Sequence, residues 1–237
     1  MAHPLVGALR QGLLGLDLSL DATAQARLLD YMDLIAKWNK VYNLTAVRDT
    51  QEMLTHHVLD SLAVVAPLRR ELAKLQRAED AVPRLVLPGI TPLSAAASAT
   101  RYRLLDVGAG AGLPGVVIAI ACPEVSVTCV DTVAKKAAFV QQVAVSLRLP
   151  NLRGLHARVE TLTDPFDVVC SRAFASLLDF TSWSAPALAQ HGAWLAMKGK
   201  HPDAEIQALP QSVNVFHVEP LTVPGLGAER CIVWMRG

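Results

Sequence analysis

The sequence predicts an α/β chain: a mostly parallel sheet with an antiparallel edge, preceded by an N-terminal helical extension. Three observations carry this. The apolar run Leu104-Leu105-Asp106-Val107 leads into Gly108-Ala109-Gly110-Ala111-Gly112-Leu113-Pro114-Gly115 and then into apolar Val116–Ala121, which reads as strand, tight glycine turn and helix. Short apolar runs then alternate with amphipathic ones, the order that builds parallel strands through helical crossovers. The chain closes on two strands with no helix between them, which pair antiparallel.

Taken in order, residues 4–15 can form a short helix, and Ser19 or Asp21 can cap a longer one. Leu28, Tyr31, Ile35 and Trp38 recur at helical spacing and give that helix one apolar face. Trp38 to Asp49 is rich in asparagine and aromatics and reads as a helix end followed by an irregular turn. A second helical region spans Glu52 to Ala63, with His57 and Asp60 on one face. From Ala73 to Tyr102 the composition shifts: Pro83, Pro88 and Pro92 recur and 94–100 is small-residue low complexity, so a helix ends near Arg77 and a connector follows. The division expected is a helical extension 1–72, a connector 73–102 and a core 103–237.

Beyond the glycine turn, Val125–Val130 is a strand ending at Asp131, and Thr132 can cap the helix whose inner face is Phe139, Val140, Val143 and Leu147. Leu152–Ala157 and Phe166–Cys170 are the third and fourth strands. Leu177–Leu188 reads as a helix and Gly192–Met197 as the fifth strand. Val213–Val218 and Cys231–Met235 complete the sheet.

The 237 residues are 52% apolar, enough for a large core, and the net charge of +1 leaves nucleic-acid contact to a local patch. Cys122, Cys129, Cys170 and Cys231 show no paired spacing and read as buried free thiols in a reducing compartment. No signal-like or membrane-length run is evident, so a soluble cytoplasmic protein, a monomer without a membrane, is expected. The adjacent His56 and His57 point to different faces and lack a third ligand, so no metal site is expected.

Glycine spacing narrows the ligand. Gly108, Gly110 and Gly112 give G-x-G-x-G rather than the dinucleotide G-x-G-x-x-G, and no phosphate-cradling G-x-x-x-x-G-K-[ST] occurs. Asp106 followed by these glycines resembles motif I of S-adenosylmethionine-dependent methyltransferases, whose cofactor carries a cationic amino-acid tail that suits a carboxylate. Asp131, at the end of the second strand, is placed to accept from ribose hydroxyls; Thr132 beside it counts with the cofactor side.

Further stretches extend the likeness: Trp38-Asn39-Lys40-Val41-Tyr42-Asn43-Leu44-Thr45, His57-Val58-Leu59-Asp60-Ser61, Arg158-Val159-Glu160, Ser171-Arg172-Ala173-Phe174-Ala175-Ser176 and Lys198-Gly199. With the glycine motif they cover most of the chain outside the first ~18 residues and the connector. The sequence resembles the glucose-inhibited division protein B family, bacterial methyltransferases of guanine N7 in 16S ribosomal RNA of the small subunit. The resemblance implies a class I, Rossmann-like methyltransferase fold. It implies cofactor contacts at Gly108, Leu113, Val159, Glu160 and Arg172, and substrate-side roles for Arg158 and Lys198. Two departures stand out: His56 occupies the place where the family has arginine, and the connector is longer than the family's.

Guanine N7 already holds a lone pair, so the reaction needs alignment and electrostatics rather than a nucleophile–base pair. The residues after the fourth strand agree: Ser171-Arg172 stands where amine methyltransferases carry Asn/Asp-Pro-Pro-aromatic and cytosine-C5 enzymes carry Pro-Cys. Arg172 is placed to bond the cofactor carboxylate or the guanine edge. Arg158, Arg172, Lys198 and Lys200, all at carboxyl ends of strands, form a candidate phosphate-contacting rim. Phe174 reads as core. Two other readings stay open: methylation of a small molecule or protein, and a cofactor-binding module without turnover.

Overall fold

The structure, a computed structural model, describes residues 3–81 and 101–237. Of the expected connector, 82–100 lies outside the described residues.

The chain opens with α1 (Val6–Gly15) and α2 (Ala22–Tyr42). Asp21 is the cap of α2: its carboxylate accepts from the Ala24 amide at 2.7 Å. Asn43 ends the helix in the left-handed region, and the irregular stretch expected after the helix end follows it. α3 (Thr50–Met53), a π-helical turn over Leu54–Leu59 and α4 (Asp60–Leu62) run on as one rod, followed by α5 (Val65–Ala81). α5 continues past Arg77, where the sequence placed its end.

Seven strands follow, β1 (Tyr102–Val107), β2 (Val125–Asp131), β3 (Leu152–His156), β4 (Phe166–Arg172), β5 (Leu188–Lys198), β6 (Asn214–Leu221) and β7 (Arg230–Arg236), in the spatial order β3-β2-β1-β4-β5-β7-β6. The first five are mutually parallel, while β7 pairs antiparallel with β5 and β6. Between them lie α6 (Gly115–Ala121), α7 (Ala134–Ser146), α8 (Leu177–Ser184) and α9 (Asp203–Gln207). One local expectation changes, and α9 adds a helix where none was expected. The stretch expected as helix to Leu188 leaves α8 at Ser184, makes a 3-10 turn at Ala185–Ala187 with Pro186 inside it, and joins β5. The helix α9 carried no clear apolar period.

Alternate residues of each strand pack on opposite faces. Leu104, Val127, Val168, Leu195 and Ile232 share one core with α1, α2, α6 and α7. Leu105, Val130, Val169, Trp194 and Val233 share the other with α8. The helices before β1 are thus built into the same core as one sheet face. Burying Leu28, Tyr31 and Ile35 contributes about 1.5–3 kcal/mol each. The Tyr31 hydroxyl donates to the Ala111 carbonyl at 2.7 Å, which ties α2 to the glycine turn. All four cysteines are free and buried. Among the described residues no helix is long and apolar enough to cross a membrane, and no metal-holding group of side chains occurs.

Candidate functional site

Loops leaving the carboxyl ends of β1, β2, β3, β4 and β5 enclose two adjoining cavities, the place where such sheets receive ligands. The first is a cleft of about 810 Å³, bounded by Gly108, Asp131, Thr132, Lys136, Arg158, Val159, Glu160, Phe174 and Trp183. The second, about 450 Å³, is bounded by His56, His57, Asp60, Arg172, Met197, Lys198 and Arg230. The two walls meet in the loop after β4, where Ala173 faces the second and Phe174 the first.

The glycine turn shapes the first cleft. Gly108, Gly110 and Gly112 all have positive φ, at 66°, 59° and 90°. A Cβ on Gly108 would lie 2.4 Å from the Phe174 ring, so the turn and that ring need each other's space. A Cβ on Gly110 would meet only the Gly108 carbonyl, at 4.0 Å, so this turn has open room beside it. Gly110, Gly112 and Leu113 do not line the cleft. A Cβ on Gly112 would strike Val116 at 2.4 Å, and Leu113 is buried in the core.

Both aspartates of the motif region act on the turn. Asp131 Oδ2 accepts from the Gly110 amide at 3.0 Å and Oδ1 from the Val133 amide at 2.8 Å. That removes the cap expected of Thr132, whose side chain makes no capping bond to α7. Asp131 nonetheless forms part of the cleft wall, with Lys136 Nζ 3.9 Å away. Asp106, expected at the ligand, is fully buried behind the turn instead. Its Oδ2 accepts from the Gly115 amide at 2.8 Å, and Oδ1 has no partner. A Cβ on Gly115 would lie 2.7 Å from that Oδ2, so only glycine lets the helix start approach the carboxylate.

Burial pushes the Asp106 carboxyl up to about 7, against the pull of the Gly115 amide and Arg172. The folded chain therefore holds this proton more tightly than the unfolded chain, whose carboxyl titrates near ~3.9. Between about pH 4 and 7 the folded state binds more protons, so stability falls as pH rises and levels off above that window. Asp106→Asn removes this slope. Urea unfolding should show the variant gaining on the parent by up to a few kcal/mol from about pH 4 to 7; parallel curves would place the pH dependence elsewhere.

Across the cleft, Arg158 reaches Glu160 at 3.1 Å, and Glu160's own amide together with that guanidinium lowers its carboxyl from the usual range. Phe174 is not core: it is 36% exposed and stands edge-on to Trp183 at 5.8 Å and to Phe180 at 6.5 Å.

Arg172 belongs to the second cavity rather than to the cleft beside the glycine turn. Its Nη1 donates to the His56 carbonyl at 2.9 Å and to Asp60 Oδ2 at 2.9 Å. Asp60 Oδ1 accepts from Arg230 Nε at 2.9 Å. A buried carboxylate from α4 thus holds guanidiniums from the ends of β4 and β7. Beside it, His57 Nε2 and Thr45 Oγ1 lie 2.6 Å apart, Nδ1 is unpartnered, and burial together with Arg172 lowers the ring's pKa. Lys198 is held by Glu205, at 3.0 and 2.8 Å, and by the Ala175 carbonyl. Of the four rim cations, Arg158, Arg172 and Lys198 therefore do not stand as free charges, since each has a carboxylate partner, whereas Lys200 has none among the described residues.

Sequence reading missed Asp60 as the hub, Arg230, Trp183 and Lys136. The helical spacing of His57 and Asp60 was the one local signal for the hub. Nothing near Arg230 marks it, because its partner lies 170 residues away.

The family described as rRNA small subunit methyltransferase G matches residues 24–74 and 66–233. The chain belongs to this family. Ribosomal RNA small subunit methyltransferase G of Acidovorax sp. strain JS42 is 64% identical over 97% of this chain and 94% of its own length. The protein of the same description from Polaromonas sp. strain JS666 is 63% identical over 96% and 92%. That from Methylibium petroleiphilum is 54% identical over 99% and 95%. The match crosses both the helices before β1 and the sheet, so the two cavities lie within the part shared with the family.

Proposed function

We propose that this chain transfers the methyl group of S-adenosylmethionine to N7 of a guanine in 16S ribosomal RNA of the small subunit, as a cytoplasmic monomer. The observation that carries the reading is the pair of adjoining cavities, one built by the glycine turn and the other by paired guanidiniums. The first cleft fits the cofactor chemically. It offers an acidic residue at the end of β2, a second at Glu160, aromatic rings at Phe174 and Trp183, and the Gly108 turn between them. When bound, the cofactor supplies an electrophilic methyl on a sulfonium.

The protein's work is alignment. Asp131 fixes the Gly110 turn and faces the cleft with its remaining lone pairs. Val159 and Glu160 line the cleft and would help hold the cofactor, with Arg158 beside them. Asp60 sets Arg172 and Arg230 in the second cavity, where a guanidinium can bond the guanine O6 edge. Guanine N7 already holds a lone pair, so no residue of the chain has to remove a proton from it. Orientation and excluded water supply the rate. Lys198, held by Glu205, braces the loop between β5 and α9 in this reading. The helices of 1–72 form the far wall through Asp60 and the Tyr31 tether.

Nucleoside mass spectrometry of small ribosomal subunits treated with the enzyme tests the reading. The parent should generate N7-methylguanosine, and Gly110→Val should not. Valine at φ 59° is strained by about 1–2 kcal/mol in the turn whose amide Asp131 holds beside the cleft, so calorimetry should show cofactor affinity lost in a protein that still folds. Subunits that gain no methylguanosine would overturn the assignment, and unchanged cofactor affinity in the variant would move the cofactor elsewhere.

A further inference from the structure

Three of the four rim cations singled out by position are neutralised within the chain, Arg158 by Glu160, Arg172 by Asp60 and Lys198 by Glu205, and Lys200 alone keeps no carboxylate partner among the described residues. A different set converges at the opposite end of the sheet. A cleft of about 710 Å³ lies where α6 ends and β2 and β3 begin, walled by Arg27 of α2, Arg69 of α5 and Arg148 just beyond α7. Among the described residues none of these three guanidiniums has a carboxylate partner within ion-pair distance. Two are steadied by carbonyls, which hold the side chain without cancelling its charge: Arg69 Nη2 donates to Ala121 O at 2.7 Å and Arg27 Nη2 to Arg148 O at 3.4 Å. The acidic residue on the wall, Asp21, has one oxygen engaged by the Ala24 amide as the cap of α2. The stretch 82–100 contains no Asp or Glu that could add a carboxylate.

We propose that this cleft binds phosphodiester groups of the RNA substrate, as a second point of contact on the side of the sheet away from the methyl-transfer cavities. The inference rests on the RNA reading above. Guanidinium forks match phosphate oxygens in pairs, and steadied forks lose less freedom on binding. A chain of net charge +1 has no broad basic field, so a cluster of unneutralised arginines is where phosphate attraction concentrates. Three elements far apart in sequence form the cluster, so an RNA surface that spans both ends of the sheet would be gripped twice.

The test is the double variant Arg27→Gln/Arg148→Asn. Glutamine suits the α2 interior, and asparagine tolerates the left-handed φ of 52° at position 148, so the fold should persist. Binding to purified small ribosomal subunits is measured against salt, separately from turnover. Each lost phosphate contact removes about 0.7 to 0.9 from the slope of log K against log salt, so the double variant should be shallower by roughly 1.4 to 1.8. Turnover at saturating subunits and cofactor affinity should stay at the parent's level. Slopes that coincide with the parent's overturn the proposal. A melting temperature raised by inorganic pyrophosphate in the parent alone, with coincident slopes, would mark a small-anion site and overturn it equally. Should the double variant fail to fold, Arg148→Asn alone carries the test, with half the slope change expected. Failure of the methyltransferase reading shows separately, as subunits left unmethylated by the parent.

Discussion

Arg172→Ala is expected to lower methyl transfer to small ribosomal subunits by ~100-fold or more, the scale of loss when a group that orients a reactant is removed. Cofactor affinity should remain near the parent's. Arg172 faces the cavity of Asp60 and Arg230, apart from the cleft of Asp131 and Glu160. Nη1 is engaged by the His56 carbonyl and Asp60, while Nε and Nη2 make no hydrogen bond to the described residues. The fold should tolerate the change, because Asp60 keeps its bond to Arg230. Single-turnover methylation and calorimetry on the same preparation separate the two effects. A near-normal rate would make Arg172 a structural cation, and lost cofactor affinity would return it to the cofactor side. Arg172→Lys should recover little, since an ammonium cannot hold the His56 and Asp60 oxygens and also present a fork.

Asp60→Ala is expected to destabilise the protein and disable it together. The carboxylate is 3% exposed, and its two guanidinium partners are 19% and 25% exposed. Breaking a fully buried pair costs about 3–5 kcal/mol, and the solvent still reaching the arginines reduces this to roughly 2–3 kcal/mol. Turnover should fall at least as far as in Arg172→Ala, because Arg172 and Arg230 both lose their anchor. Asp60→Asn, with one acceptor oxygen in place of two, should fall between parent and alanine variant in urea midpoint and rate. An alanine variant with the parent's midpoint would show that the hub contributes no net stability; one with the parent's rate would show that the arginines need no anchor.

The sheet was legible because its signals are local. Leu104-Leu105 before the glycine turn, Val125–Val130 before Asp131 and the closing pair of strands each declare themselves within a few residues. The N-terminal helices announced their buried faces through Leu28, Tyr31 and Ile35 at helical spacing. Boundaries were weaker. Pro186 ends α8 through a 3-10 turn that periodicity does not encode, and the apolar sequence around it suits helix and strand alike.

By itself the sequence determined the order of elements, the glycine turn at the carboxyl end of β1 and the family likeness, because these depend on residue type at short spacing. Only the tertiary structure decided which charges are available. Asp106, expected to meet a ligand, is buried to receive the Gly115 amide; Lys198, expected to meet RNA, is held by Glu205; and Asp60, marked only as a neighbour of His57, joins Arg172 and Arg230. Asp106 and Lys198 meet their partners within nine residues of chain, but only once the glycine turn and the loop after β5 have folded back; Asp60 meets its arginines across more than a hundred residues, through the close packing of the helices before β1 against the sheet.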